Sequence, residues 1–285
     1  RVREKRRFAT QQFSLERMKA LAAAADCTIN DIVLAICGGA LRRFLDERNS
    51  LPHKPMTAGI PVSVRPKDDN GNGNAITFIV STLGTNIADV RERLAAIRQS
   101  VKQAKEQVQS LPRQAMMQYT VLLMTPTILT LLTGIGGRTR PMFNITISNV
   151  PGPDTPLFFR GAEMVATYPA SIVTHGQALN ITCQSYAGYM NFGFTGCHAS
   201  LPSMQRLAVY TADALADMEK AFLPGALAHT AKPVVQAVKV TKEVKAAKVA
   251  KPKAASPAKA TKSKVAPVRA PAQAPVRRAP RKKAA

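Results

Sequence analysis

The chain has 285 residues, 46% of them apolar, and a formal net charge of +23. That length admits one or two domains, and that apolar share suffices for a core, which excludes a chain disordered throughout. The charge is uneven: Gly225 to Ala285 holds 12 Lys and 4 Arg against one acid, Glu243, so +15 lies there and +8 in the first 224 residues. An asymmetry this steep points to a tail that meets a polyanion, either nucleic acid or an anionic membrane.

The sequence opens on Arg1 and not on Met, as a fragment or processed product would. Its basic start leads into a mixed helix and not into the apolar stretch of a signal peptide. Ser14 is placed to cap a helix over Leu15 to Ala25, with Arg17 at the third helical position. Thr28 or Asn30 starts a second helix, Asp31 to Asn49, apolar on most faces and therefore buried. Gly38-Gly39 inside it predicts close packing against another backbone. Met56 to Val64 reads as a strand, Asp68 to Asn74 as a turn-rich loop, and Ala75 to Leu83 as a second strand.

Ile87 to Ser110 reads as an amphipathic helix whose charged face carries Arg91, Arg93, Arg98, Lys102, Lys105 and Glu106. No residue between Arg113 and Arg138 is charged. The run approaches a membrane span in length, but five Thr and Pro126 favour a buried or membrane-touching helical hairpin. Phe143 to Val150 is a strand closed by Pro151-Gly152-Pro153, and Leu157 to Ala166 a short hairpin. Gln177 to Tyr186 and Tyr189 to Gly196 form a hairpin through Ala187-Gly188. Pro202 to Phe222 is the last helix. The chain thus divides into a folded segment, 1–224, and a basic Lys/Ala/Pro-rich tail, 225–285, with too little apolar surface to offset chain entropy and hence disordered.

Complete catalytic signatures are missing from the sequence. His53, His175, His198 and His229 form no HxxxD, and there is no GxSxG, Walker A or strand-to-helix GxGxxG. Cys27, Cys37, Cys183 and Cys197 form no CxxC, and Cys197-His198 lacks a second pair for zinc, so free thiols in a reducing cytosol are expected and no metal.

Three patterns carry a resemblance: CTINDIVLA (Cys27 to Ala35); PVSVRP (Pro61 to Pro66) followed by Gly73-Asn74; and FNITISNVPGPDTPLFFRGA (Phe143 to Ala162) followed by GQALNITCQSYAGYMNFGF (Gly176 to Phe194). In this order and spacing they resemble the C-terminal half of the bacterial wax ester synthase/diacylglycerol acyltransferase family, from about Arg6 to Phe222. The chain departs from the pattern after Phe194, where TGCHASLPS stands in place of the family's usual aspartate, and in its short Gly/Asn-rich loop.

The resemblance implies an α/β fold of the CoA-dependent acyltransferase type, similar to chloramphenicol acetyltransferase: one half, a mixed sheet packed with helices. It implies transfer of an acyl group from acyl-CoA, a substrate and not a cofactor, to diacylglycerol or a fatty alcohol, giving triacylglycerol or wax ester. The general base of the family's HHxxxDG belongs to an N-terminal half, so this chain alone is expected to be inactive and to need that half as partner. Asn30-Asp31 matches the family's ND motif, read here as cap and first-turn acid, and Gly73-Asn74 another structural motif. Ser148 and Asn149, in an S-x-x-P setting, are the candidate oxyanion donors. Ser185-Tyr186 is read as core packing with a bonded hydroxyl.

The tail fits an anionic membrane or lipid-droplet surface on the cytoplasmic side, with nucleic acid as the other polyanion. A lipid- or acyl-CoA-binding module without catalysis is the alternative function. A purely nucleic-acid-binding protein ranks last, because the folded segment has no basic motif with interleaved aromatics.

Overall fold

The computed structural model describes residues 1–63, 76–134, 138 and 141–224. The expectations for the Asp68 to Asn74 loop, with Gly73 and Asn74, and for the tail 225–285 lie outside the described residues.

Alternation of apolar and polar residues builds the central sheet. Strands β1 (Arg6–Ser14), β2 (Thr57–Ser63), β3 (Ile76–Thr82), β4 (Ile145–Val150), β7 (Leu179–Tyr186) and β8 (Tyr189–Cys197) lie in the order β1-β8-β7-β4-β2-β3. Strand β4 runs parallel to both neighbours, β2 and β7, while the other pairs are antiparallel, so the sheet is mixed as expected. A small hairpin, β5 (Phe158–Phe159) and β6 (Ala162–Glu163), stands apart, turned by Arg160 and Gly161 at positive φ.

One sheet face presents Phe13, Ala58, Ile60, Ile79, Ile145, Ile147, Ile181, Phe192 and Phe194 to a single core. Helices α1 (Leu15–Ala24), α2 (Ile29–Asp46), α3 (Val90–Gln109) and α5 (Gln205–Phe222) supply the other side. Helix α3 packs on β3, α5 on β1, and α2 against α1, α3 and α5. The near-complete burial of α2 agrees with its apolar sequence. Its glycine pair meets the predicted close approach: Gly38 faces the Leu83 backbone and Gly39 the side chains of Ala214 and Arg93.

Four expectations need correction. The start of the chain is strand β1 and not a helix, paired with β8 over its whole length. Its inward positions include Arg7 and Gln11, which hides the apolar alternation. The Gln11 amide donates to the Ala208 carbonyl of α5 at 3.1 Å. Second, Asn30 does not cap α2. Thr28 does, because its Oγ1 accepts from the Asp31 amide at 3.2 Å while the Asp31 carboxylate accepts from the Thr28 amide at 3.0 Å. This reciprocal box satisfies two end donors, and Asn30 falls inside the first turn.

Third, the uncharged run is one helix, α4 (Arg113–Leu132), with Pro126 inside it and not at a hairpin bend. A proline removes one ladder bond and bends a helix without having to end it. Fourth, Arg93 leaves the charged face of α3 and is buried, 4% exposed. Its guanidinium donates to the carbonyls of Ile87 and Ala88 at 2.9 and 3.1 Å. Burial, with Arg42 nearby, lowers its pKa from the ordinary value.

Candidate functional site

The sheet face away from the helices is polar. Along β4, Thr146 and Ser148 share that face, while Ile145 and Ile147 point to the core. Alternation therefore separates the two candidate donors: Ser148 lies on the polar face, and Asn149 on the helical side at the strand end. Ser148 stands in register with Thr182 of β7. Both candidates are half-buried, and among the described residues neither side chain has a hydrogen-bond partner.

The segment between β4 and β7 is tied at its start to the strand end at Ser185 and then crosses back over this polar face. The Gly152 amide donates to Ser185 Oγ at 3.0 Å. A side chain at Gly152 would collide with the Ser185 carbonyl. The Tyr186 hydroxyl accepts from the Leu157 amide at 2.8 Å and donates to the Met164 carbonyl at 2.7 Å. Tyr186 is buried, so the sequence reading of Ser185-Tyr186 as packing with bonded hydroxyls holds. Further on, Ser171 Oγ lies 2.5 Å from Thr182 Oγ1, and the Ser171 amide donates to Thr195 Oγ1 at 3.2 Å. The Pro169 carbonyl sits where a Cβ on Gly193 of β8 would be, so this crossing requires glycine there.

The result is a Ser148 hydroxyl with no partner among the described residues, in register with Thr182, whose hydroxyl bonds Ser171 of a crossing segment that exposes Leu157, Phe158, Phe159, Val165 and Ile172. A hydroxyl with no internal partner can donate to an incoming oxyanion, and an apolar rim can hold an alkyl chain.

Among the described residues no histidine is hydrogen-bonded to a carboxylate. His175 Nδ1 accepts from the Val2 amide at 3.2 Å, and His198 Nε2 lies 2.9 Å from Arg7. Among the described residues no group of three His, Cys, Asp or Glu could hold a metal. Asp31 of the ND motif is committed to the α2 cap, 7% exposed, with Thr28 Oγ1 also donating to its carboxylate at 2.7 Å. Sequence reasoning offered Thr28 as one start of α2 but gave the cap of the ND motif to Asn30, although T-x-x-D before an apolar run is a cap signature; it missed Ser171, which no local pattern marks.

Residues 72–219 match the family model of the WS/DGAT C-terminal domain, and residues 1–33 that of the wax ester synthase/diacylglycerol acyltransferase catalytic domain. The boundary between the two matches falls within one sheet, because β1 pairs with β8. A Mycobacterium tuberculosis protein, Rv3480c, whose name carries a provisional diacylglycerol O-acyltransferase assignment, is 52% identical over 218 residues, covering 75% of this chain and 44% of its own. The O-acyltransferase WSD of Acinetobacter baylyi is 43% identical over 210 residues, 74% of this chain and 45% of its own. The solved wax ester synthase/diacylglycerol acyltransferase of Marinobacter aquaeolei VT8 superposes with a TM-score of 0.68 at 36% identity, covering 77% of this chain and 50% of that one.

The fold is thus the CoA-dependent acyltransferase type, and the chain belongs to the wax ester synthase/diacylglycerol acyltransferase family. It spans under half the length of these curated relatives.

Proposed function

We propose that this chain is the C-terminal part of an acyl-CoA-dependent O-acyltransferase that makes triacylglycerol or wax ester from diacylglycerol or a fatty alcohol. In that reaction the acceptor hydroxyl oxygen bonds to the thioester carbonyl carbon. A base takes the hydroxyl proton, the carbonyl oxygen becomes an oxyanion, and collapse breaks the C–S bond to release CoA. The base comes from the HHxxxDG-bearing half, the N-terminal partner. Ser148 donates to the oxyanion, and Asn149 follows it on the opposite face of the same strand. Acyl-CoA enters as substrate, and no further cofactor takes part. The protein works on the cytoplasmic side, at the surface of a membrane or lipid droplet, with the tail's +15 facing anionic headgroups. The observation that supports this most is the Ser148 hydroxyl, on the polar sheet face and without a partner among the described residues.

A second reading, a non-catalytic lipid- or acyl-CoA-binding module, is supported by the lack of a carboxylate-paired histidine among the described residues. One experiment decides between them. Transfer from palmitoyl-CoA to dipalmitoylglycerol or hexadecanol is assayed with this chain alone and with an HHxxxDG-bearing half added. Transfer in the second arm alone is the expected result. Full transfer by this chain alone would overturn the assignment of the base; acyl-CoA binding without transfer in either arm supports the module.

A further inference from the structure

We infer that α4 is a lipid-docking helix, which lies in a membrane or droplet surface with its outer stripe among the acyl chains. The inference extends the tether proposed for the tail to a separate element of the fold. It starts from burial. Among its described residues α4 has none that is fully buried, although from Val121 to Leu132 its sequence holds only apolar residues, Thr and Pro126. Val121, Leu122, Ile128, Leu129 and Leu132 are all exposed, Leu122 and Leu132 by 74% and 76%. Intervals of three, four and seven put these five on one face. The opposite side meets the body of the protein: Met116 and Tyr119 pack on the core, and Thr120 Oγ1 lies 2.6 Å from Thr77 Oγ1 of β3.

Hydroxyls decide what can cover the stripe. Thr120, Thr125, Thr130 and Thr133 each donate back to a carbonyl of the same helix, at 2.8, 2.7, 2.8 and 2.6 Å. These groups need no water, so moving the helix into hydrocarbon leaves none of the four donors unpaired. Charge points to the same partner. No acid occurs between Glu106 and Asp154, and the only charged residues there are the arginines Arg113, Arg138 and Arg140. Arg138 is exposed just past the C-terminal end of α4, and the Arg1 guanidinium donates to the Gly134 carbonyl there at 3.1 Å. An apolar face with cations and no acid at its ends matches acyl chains bordered by anionic headgroups. Among the described residues no single helix is long and apolar enough to cross a membrane, so α4 lies along the surface.

The chain has no tryptophan, so Leu122→Trp introduces a unique reporter. Full-length protein with this change is mixed with phosphatidylcholine vesicles containing about a third phosphatidylglycerol. The expected result is a blue-shifted emission that brominated acyl chains quench. Adding Leu129→Asp and Leu132→Asp, with unchanged circular dichroism, lowers vesicle partitioning by about tenfold or more. Three outcomes overturn the proposal: sedimentation with vesicles while the indole stays unquenched, which leaves binding to the tail alone; equal partitioning of the Asp variants; or a blue shift produced only by an added HHxxxDG-bearing half, which assigns the stripe to a contact between halves. Insertion is read without any acyl transfer, so it and the proposed catalytic role can fail separately.

Discussion

Gly38 of α2 faces the Leu83 carbonyl so closely that a Cβ there would lie 2.3 Å from the oxygen. The obstacle is backbone, held by the bond from the Leu83 amide to the Met56 carbonyl at 2.9 Å, and so cannot rotate away. Gly38→Ala is expected to cost about 1–3 kcal/mol in urea unfolding. Gly39→Ala should cost less, because its new methyl meets side-chain atoms of Ala214 and Arg93 at 3.1 and 3.3 Å. Equal losses at both positions would mean that the Leu83 carbonyl moves aside.

Ser148→Ala, assayed with an added HHxxxDG-bearing half, is expected to lower kcat by about 10²–10³. Unfolding stability should stay within about 0.5 kcal/mol, since the hydroxyl has no partner among the described residues. A fall in stability that matches the fall in turnover would make Ser148 a strand-end residue and nothing more.

Tyr186→Phe removes one oxygen that serves two backbone groups, the Leu157 amide and the Met164 carbonyl. The loss should be about 1–3 kcal/mol, since both groups lose their partner at once. Hydrogen exchange at the Leu157 amide should quicken before that of the central strands. If exchange there is unaltered, the hairpin is held by other contacts.

Thr28→Val and Asp31→Ala each break the α2 cap and should cost about 1–2 kcal/mol. Activity per folded molecule should be unchanged in both. Lost turnover in Asp31→Ala with an unshifted melting temperature, and none in Thr28→Val, would move the ND aspartate from scaffold to chemistry.

Burial, reinforced by Asp31, pushes the Cys27 thiol up to about 11. At pH 8 only about a thousandth is thiolate, so iodoacetamide should label Cys27 far more slowly than a free cysteine. Its labelling rate should climb until about pH 11. The folded chain holds this proton more tightly than the unfolded chain does. Its contribution to stability is therefore full below the unfolded thiol pKa and is lost as pH rises through about 11. Cys37, raised to about 12 by burial, acts in the same direction.

Periodicity made most of the fold legible. Apolar alternation marked β4, β7 and β8, and Ala187-Gly188 marked their hairpin, because both depend on neighbours in sequence. Strand β1 was not legible, since an inward Gln11 that bonds to α5 looks polar until α5 is in place. Arg93 was misread for the same reason: its pocket is made by Gly84 and by Gly39, the latter far away in the chain. At the candidate site, the S-x-x-P setting of the resemblance named Ser148 and Asn149 as candidates, and strand alternation puts them on opposite faces. The hydroxyl chain through Thr182 and Ser171 was not legible, because it forms only when the crossing segment lies down on the sheet.

That crossing segment is fastened chiefly to one strand. Ser185 and Tyr186 hold its start and its hairpin, Thr182 holds Ser171, and all three belong to β7, the strand beside Ser148. In the proposed reaction the apolar segment and the Ser148 hydroxyl are therefore both anchored through β7. On that proposal, a bulkier acceptor that pushes the Phe158–Phe159 hairpin outward would pull on β7, the strand beside Ser148. Acceptor range and turnover are expected to trade against each other through β7, so variants selected for broader alcohols should lose rate even where the rim alone was changed.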